Sequence, residues 1–106
     1  MTKPRSTRLG KVKGLRGDGV NIYLGIRYGE PTTGKHRFLA PVLASGWQGT
    51  FDATQFPDRA IQPKKTESTL GEKANGGMSE DCLTLNIVSP ETASGPCPVL
   101  VWFHGG

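Results

Sequence analysis

The stretch that decides the expected fold is Val99-Leu100-Val101-Trp102-Phe103-His104-Gly105-Gly106. Its first five residues are apolar on both faces of a strand, which is typical of a strand inside a sheet that other layers cover. The glycines come directly afterwards, so the turn lies at the carboxyl end of the predicted strand, where open α/β sheets bind ligands. The stretch therefore predicts a buried strand of a layered sheet, with a candidate functional turn at its end.

The two glycines suit one kind of chemistry. Acyl transfer to a serine passes through a tetrahedral oxyanion, which is stabilised by N–H donors that are aimed at one point. Glycine has no Cβ and tolerates positive φ, so its backbone N–H can face such a charge without obstruction. Taken alone, Gly105 and Gly106 are a weak signal, because ordinary turns contain the same residues.

The preceding sequence predicts strands and turns but no helix. Alternate residues from Val20 to Ile26 are apolar, which predicts a strand with one apolar face, paired with Lys11–Leu15 in a hairpin. A further strand is predicted over Leu83–Val88. Residues 55–78 have no apolar period and predict a long irregular connection, read more simply as a surface loop than as a binding loop. Because no helix covers the predicted central strand, we expect the chain to be part of a larger protein.

Composition bounds the possible partners. With 106 residues the chain forms at most one domain, spanning 1–106. Much of the net charge of +4 comes from basic residues among the first 16 positions. This basic terminus motivates a nucleic-acid-binding reading, but no aromatic residue is interleaved and no recognition motif follows. A solvated terminus explains the charge more simply, so we expect no nucleic-acid partner.

The location follows from the lack of export and membrane signals. No apolar run approaches the ~20 residues of a membrane span, and the first residues lack the apolar core of a leader peptide. A cytoplasmic protein without membrane association is therefore expected. Cys82 and Cys97 are accordingly expected to be reduced thiols rather than a disulfide.

Several kinds of catalytic motif are absent from the sequence. It contains no Gly-x-Ser-x-Gly nucleophile motif, no glycine-rich phosphate-binding loop, and no Cys or His cluster with metal-ligand spacing. We therefore expect no cofactor and no metal. His36 lies next to Arg37 and is interpreted as a surface residue.

Six short blocks nevertheless occur in an order that resembles a known family. They are Gly10–Gly14, Leu24–Tyr28, Arg37–Pro41, Trp47–Thr54, Ser79–Asn86 and Pro98–Gly106. From about Leu9 onward the chain resembles the N-terminal segment of the type-B carboxylesterases, which include bacterial para-nitrobenzyl esterases and cholinesterases. The block Ser-Glu-Asp-Cys-Leu-x-Leu-Asn at Ser79–Asn86 is the most specific part. It distinguishes this family from the hormone-sensitive-lipase-like esterases.

The resemblance implies the N-terminal portion of an α/β-hydrolase fold. This portion would consist mostly of strands and loops, with a small antiparallel sheet and the first strands of the central sheet. The implied activity is serine-dependent hydrolysis of small-molecule carboxylic esters without a cofactor. Gly106 matches a glycine whose N–H donates to the oxyanion, and Gly105 matches the glycine that shapes the turn. The nucleophile, acid and base would lie outside this chain, which is therefore expected to be inactive alone.

The resemblance also implies a structural ion pair between Arg37 and Glu80, against the alternative of two separate surface charges. Three departures from the family are visible. Arg27 stands where the family usually has proline, Thr32-Thr33 replaces a proline-containing pair, and Ile61 stands where secreted members have the cysteine that partners the equivalent of Cys82. The third departure favours a cytoplasmic member of bacterial type. The alternative reading of the whole chain is a small stand-alone β-rich binding or interaction module.

Overall fold

Two small three-stranded sheets form the framework of the chain in a computed structural model that describes residues 1–63 and 77–105. The strands are β1 (Arg5–Ser6), β2 (Lys11–Lys13), β3 (Leu15–Arg16), β4 (Val20–Arg27), β5 (Thr50–Asp52) and β6 (Thr84–Pro90). A single 3-10 turn at Gly34–His36 is the one helical element within the described ranges. The predominance of strands and loops agrees with the sequence-based expectation.

The first sheet has the order β1-β2-β5 and is mixed rather than purely antiparallel. β1 pairs with β2 in the antiparallel direction, whereas β2 and β5 run parallel, with Val12 opposite Phe51. Parallel neighbours need a long connection, and here the chain passes through the whole second hairpin before it returns. The expected small antiparallel sheet is the second of the two sheets, whereas the first contains a parallel pair.

The predicted strand over Lys11–Leu15 is divided at Gly14. Residues before Gly14 belong to the first sheet, and Leu15–Arg16 pairs with β4 in the second. A Cβ on Gly14 would overlap the carbonyl oxygen of Ile22 and lie 2.7 Å from Cδ1 of Tyr23. The backbones approach so closely that only glycine fits where the chain changes sheets.

The second sheet has the order β3-β4-β6, and all of its strands are antiparallel. Its long strand β4 contains a bulge, because two residues, Leu24 and Gly25, lie opposite the single residue Asn86. The alternation predicted from Val20 to Ile26 therefore does not persist. Before the bulge the buried residues are Asn21 and Tyr23, and Leu24 is buried directly after Tyr23.

The core lies between the two sheets and is small. Val12, Tyr23 and Ala53 are buried, and Trp47 and Phe51 pack beside them with their ring centroids 5.4 Å apart. Backbone hydrogen bonds join the sheets through Ala53, which donates to the oxygen of Lys13 at 2.8 Å and accepts from the N–H of Leu24 at 2.9 Å. This bond to Ala53 explains the bulge, since the N–H of Leu24 is directed away from β6.

The predicted strand at Val99–Phe103 is not observed in the part of the chain that the structure describes. The backbone of these five residues pairs with no strand, and the residues are between 66% and 89% exposed. A central strand needs a hydrogen-bonded neighbour on each edge and a layer on each face, and none of these contacts the segment here. Residues 1–63 and 77–105 also contain no helix with the length and apolarity that crossing a bilayer requires.

Candidate functional site

The His-Gly-Gly turn lies at the end of this exposed apolar segment. Gly105 is exposed, and a Cβ added to it would meet no atom within 4 Å. Its φ is not in the positive region, and its carbonyl oxygen lies 2.9 Å from Nδ1 of His104. Gly106, the expected oxyanion donor, lies outside the described residues. Nothing within the described residues requires glycine at position 105.

The Ser79–Asn86 block precedes that turn in the chain and is bonded to residues between Gly25 and Arg37. Nε of Arg37 lies 3.1 Å from Oε1 of Glu80, so the structure brings together the two residues expected to pair. The hydroxyl of Thr32 donates to the backbone oxygen of Glu80 at 2.7 Å. The arginine side chain is 56% exposed and the glutamate side chain 34% exposed, so this is a solvated pair. Such pairs stabilise by about 0–1 kcal/mol, well below a buried pair.

A second ion pair beside the first was missed by the sequence reasoning. Nη1 of Arg27 donates to Oδ1 of Asp81 at 2.6 Å, and Nη2 donates to Oδ2 of the same carboxylate. The one available signal was the arginine at the family's proline position, because a charge that enters a strand end needs a partner. The block therefore presents consecutive carboxylates, Glu80 and Asp81, each held by an arginine from a different segment.

Two other carboxylates are held in the charged form by local donors. Hydrogen bonding by Ser45, through its hydroxyl and its backbone N–H, lowers the pKa of Glu30, and nearby Arg27 and His36 act in the same direction. The hydroxyl of Thr54 lowers the pKa of Asp52 by a hydrogen bond of 2.7 Å to Oδ1, and Lys13 contributes. Glu30 thereby joins the two ends of a loop through Ser45, whereas Asp52 ends β5.

The irregular connection predicted over 55–78 is closed at its base. Arg59 and Met78 form a parallel bridge, in which the N–H of Ser79 donates to the oxygen of Arg59 at 2.9 Å. Oδ1 of Asp58 accepts from the N–H of Gly77 at 2.9 Å. Residues 64–76 lie outside the described residues, so the loop prediction is tested only at its two ends.

Potential metal ligands and thiols are dispersed. No group of three His, Cys, Asp or Glu side chains within residues 1–63 and 77–105 has the geometry to hold a metal ion. Cys82 is half-buried and Cys97 is exposed, and both are free thiols. His36 is half-buried in the 3-10 turn.

Comparison with known proteins relates this arrangement to one family. A carboxylesterase family model matches residues 2–106. The para-nitrobenzyl esterase of Bacillus subtilis (strain 168) is 41% identical over 101 residues, which are 95% of this chain and 20% of that protein. Phenmedipham hydrolase of Pseudarthrobacter oxydans is 38% identical over 109 residues, which are 100% of this chain and 22% of that protein. A solved PNB esterase structure superposes with a TM-score of 0.87 and 38% identity, covering 98% of this chain and 21% of that one.

The chain belongs to the carboxylesterase family. It spans about a fifth of the length of the relatives that it matches. The agreement with solved esterases confirms the expected fold class, in which this segment of an α/β-hydrolase consists mostly of strands and loops. This agreement argues against the alternative fold, a stand-alone β-rich module.

Proposed function

We propose that the protein to which this chain belongs hydrolyses small-molecule carboxylic esters with a serine nucleophile. The observation that carries the proposal is the family match over residues 2–106, which includes both the Ser79–Asn86 block and the terminal His-Gly-Gly turn. The relative from Bacillus subtilis is named for para-nitrobenzyl ester hydrolysis, so para-nitrobenzyl esters are the first substrates to test.

Gly106 and Gly105 contribute through the backbone. When a serine attacks the ester carbonyl, the carbonyl oxygen becomes an oxyanion, and the N–H of Gly106 donates a hydrogen bond to it. Gly105 shapes the turn that presents this N–H. One such donor is worth about 3–4 kcal/mol in the transition state. The reaction needs no cofactor or metal, because the charge is stabilised by N–H groups.

A chimera tests this role. The matching fifth of the Bacillus subtilis para-nitrobenzyl esterase is replaced by this chain, and turnover of a para-nitrobenzyl ester is measured. We expect an active chimera, whose kcat falls about 10²–10³-fold in Gly106→Pro because proline has no N–H. Gly95→Ala is the matched control, since its Cα faces open space and its φ is not positive.

An inactive chimera that retains the circular dichroism of the parent would contradict the proposal and favour the alternative, a binding or interaction module. The isolated 106-residue chain is expected to hydrolyse no ester above a buffer control, because its sequence contains no Gly-x-Ser-x-Gly nucleophile motif.

We also propose a cytoplasmic location without nucleic-acid or membrane partners. Support comes from the two free thiols, of which Cys97 is exposed, because exposed thiols persist in a reducing compartment. Fractionation of cells that express the tagged protein tests the location, and recovery outside the cytoplasm would contradict it. Retention on a DNA column at low salt would contradict the absence of a nucleic-acid partner.

A further inference from the structure

The segment Ser79–Leu83 contacts the end of β4 through side chains as well as backbone. Arg27 is the last residue of β4, and its guanidinium makes two parallel bonds to the carboxylate of Asp81. A planar fork that meets both carboxylate oxygens is the strongest geometry available to an ion pair. The two side chains are 38% and 32% exposed, so water screens them less than a fully solvated pair.

The two carboxylates near Asp81 and Arg27 have other partners. Glu30 is the other carboxylate that senses Arg27, but its oxygen already accepts a hydrogen bond from the N–H of Ser45. Glu80 is held by Arg37, which follows the 3-10 turn. Glu80 and Asp81 are consecutive carboxylates that repel each other, and an arginine beside each one offsets that repulsion.

We propose that Arg27 and Asp81 form an electrostatic clamp that positions the Ser79–Leu83 segment on β4 and keeps Glu80 within reach of Arg37. Next to the clamp along both segments, the N–H of Tyr28 donates a hydrogen bond of 3.1 Å to the oxygen of Leu83. The clamp is independent of the proposed ester hydrolysis.

Hydrogen exchange of the full chain tests the clamp, with the Tyr28 amide as the reporter. The Ala53 amide, which donates to Lys13 in the other sheet at 2.8 Å, is the internal reference. We expect Asp81→Asn and Arg27→Gln each to lower the Tyr28 protection factor about fivefold and the double variant to lower it no further. Reversing the pair, with Arg27→Asp and Asp81→Arg together, is expected to restore part of the protection.

Arg16→Gln is the matched control, because Arg16 pairs with Glu91 through one contact of 3.2 Å elsewhere in the same sheet. It is expected to leave the Tyr28 amide unchanged. Multiplicative losses in the double variant would overturn the proposal, since they would mean that the two side chains act separately.

If a variant unfolds, so that the Ala53 amide also exchanges freely, the clamp is tested in the native chain by a salt titration. Raising sodium chloride from about 0.05 M to about 0.5 M shortens the range of electrostatic attraction. The clamp then requires a fall in Tyr28 protection relative to Ala53, and a constant ratio would overturn it.

Discussion

Gly14 is the residue on which the junction between the two sheets depends. It lies between β2 and β3, its N–H donates to the hydroxyl of Thr2 at 2.9 Å, and its oxygen accepts from the N–H of Thr2 at 2.8 Å. Thr2, which makes both of these hydrogen bonds, is buried, with 8% of its surface exposed. A side chain at position 14 would have to displace the backbone of β4, which is much harder to move than the end of a flexible side chain.

We expect Gly14→Ala to destabilise the chain by about 2 kcal/mol, because overpacking against backbone forces strands apart. Urea unfolding followed by circular dichroism measures this. The control is Gly95→Ala, which has open space around it and should stay within about 0.5 kcal/mol of the native chain. Equal midpoints for the two variants would contradict the assigned role of Gly14.

Glu30 makes the free energy of unfolding depend on pH in the acidic range. Because Ser45 lowers the pKa of Glu30 in the folded chain, the unfolded chain takes up a proton more readily as the pH falls. The contribution is present above the ordinary glutamate pKa of about 4.3 and is lost as the pH falls through the lower folded value. We expect the urea midpoint to fall between about pH 5 and about pH 3, and to fall less in Glu30→Gln. Asp52 titrates in both chains, so parallel curves would rule out a contribution from Glu30.

At the scale of elements, the bulge in β4 decides how the sheets meet. Gly25 has a φ of 72°, and its N–H donates to Oδ1 of Asn86 on β6 at 3.0 Å. That side-chain oxygen replaces the backbone acceptor that regular pairing would supply. The bulge leaves the N–H of Leu24 free to donate to Ala53 in the first sheet.

We expect Asn86→Ala to destabilise the chain by about 1–2 kcal/mol, because the N–H of the buried Gly25 loses its acceptor. Asn86→Asp keeps an oxygen at that place and should retain most of the stability. Urea midpoints, together with hydrogen exchange at the Gly25 amide, distinguish the variants. Unchanged exchange at Gly25 in Asn86→Ala would mean that the bulge does not depend on this bond.

At the scale of the molecule, the apolar surface is poorly covered. The residues of Val99–Phe103 are at least 66% exposed, and Leu85, Ile87 and Val88 on β6 are also exposed. Extensive exposed apolar surface marks contacts with other protein segments or causes aggregation. The core of buried apolar residues is correspondingly small.

We therefore expect the 106-residue chain to self-associate as its concentration rises. Replacing Trp102 and Phe103 by serine should raise the concentration at which association begins, as measured by light scattering. Phe56→Ser is the control, because Phe56 is exposed but lies outside the segment. Equal association of all three chains would show that the Val99–Phe103 segment is not the adhesive surface.

The parts of the fold that were predictable depend on local patterns. The strands β4 and β6 were located from apolar alternation and turn residues, and the pairing of Arg37 with Glu80 from the family resemblance. The strand predicted at Val99–Phe103 is not observed. Its apolar composition is typical of a strand buried between layers, and no layer packs on this segment within the described residues. At the turn, the residue types were recognised, but the oxyanion geometry at Gly106 stays a prediction.

The family, the main strands and the block at Ser79–Asn86 can be recognised from the amino-acid sequence, because residue spacing and motif order are properties of the linear chain. The division at Gly14, the bulge opposite Asn86 and the pairing of Arg27 with Asp81 are visible in the folded chain alone. Each of these depends on which distant backbone or charge comes to lie beside a residue, and Arg27 and Asp81 are 54 positions apart. Pairing over such separations is set by the packing of the sheets, which local sequence patterns do not encode. The Val99–Gly106 stretch shows the same division, since its residues indicate the chemistry and only its covering layers can place the donor.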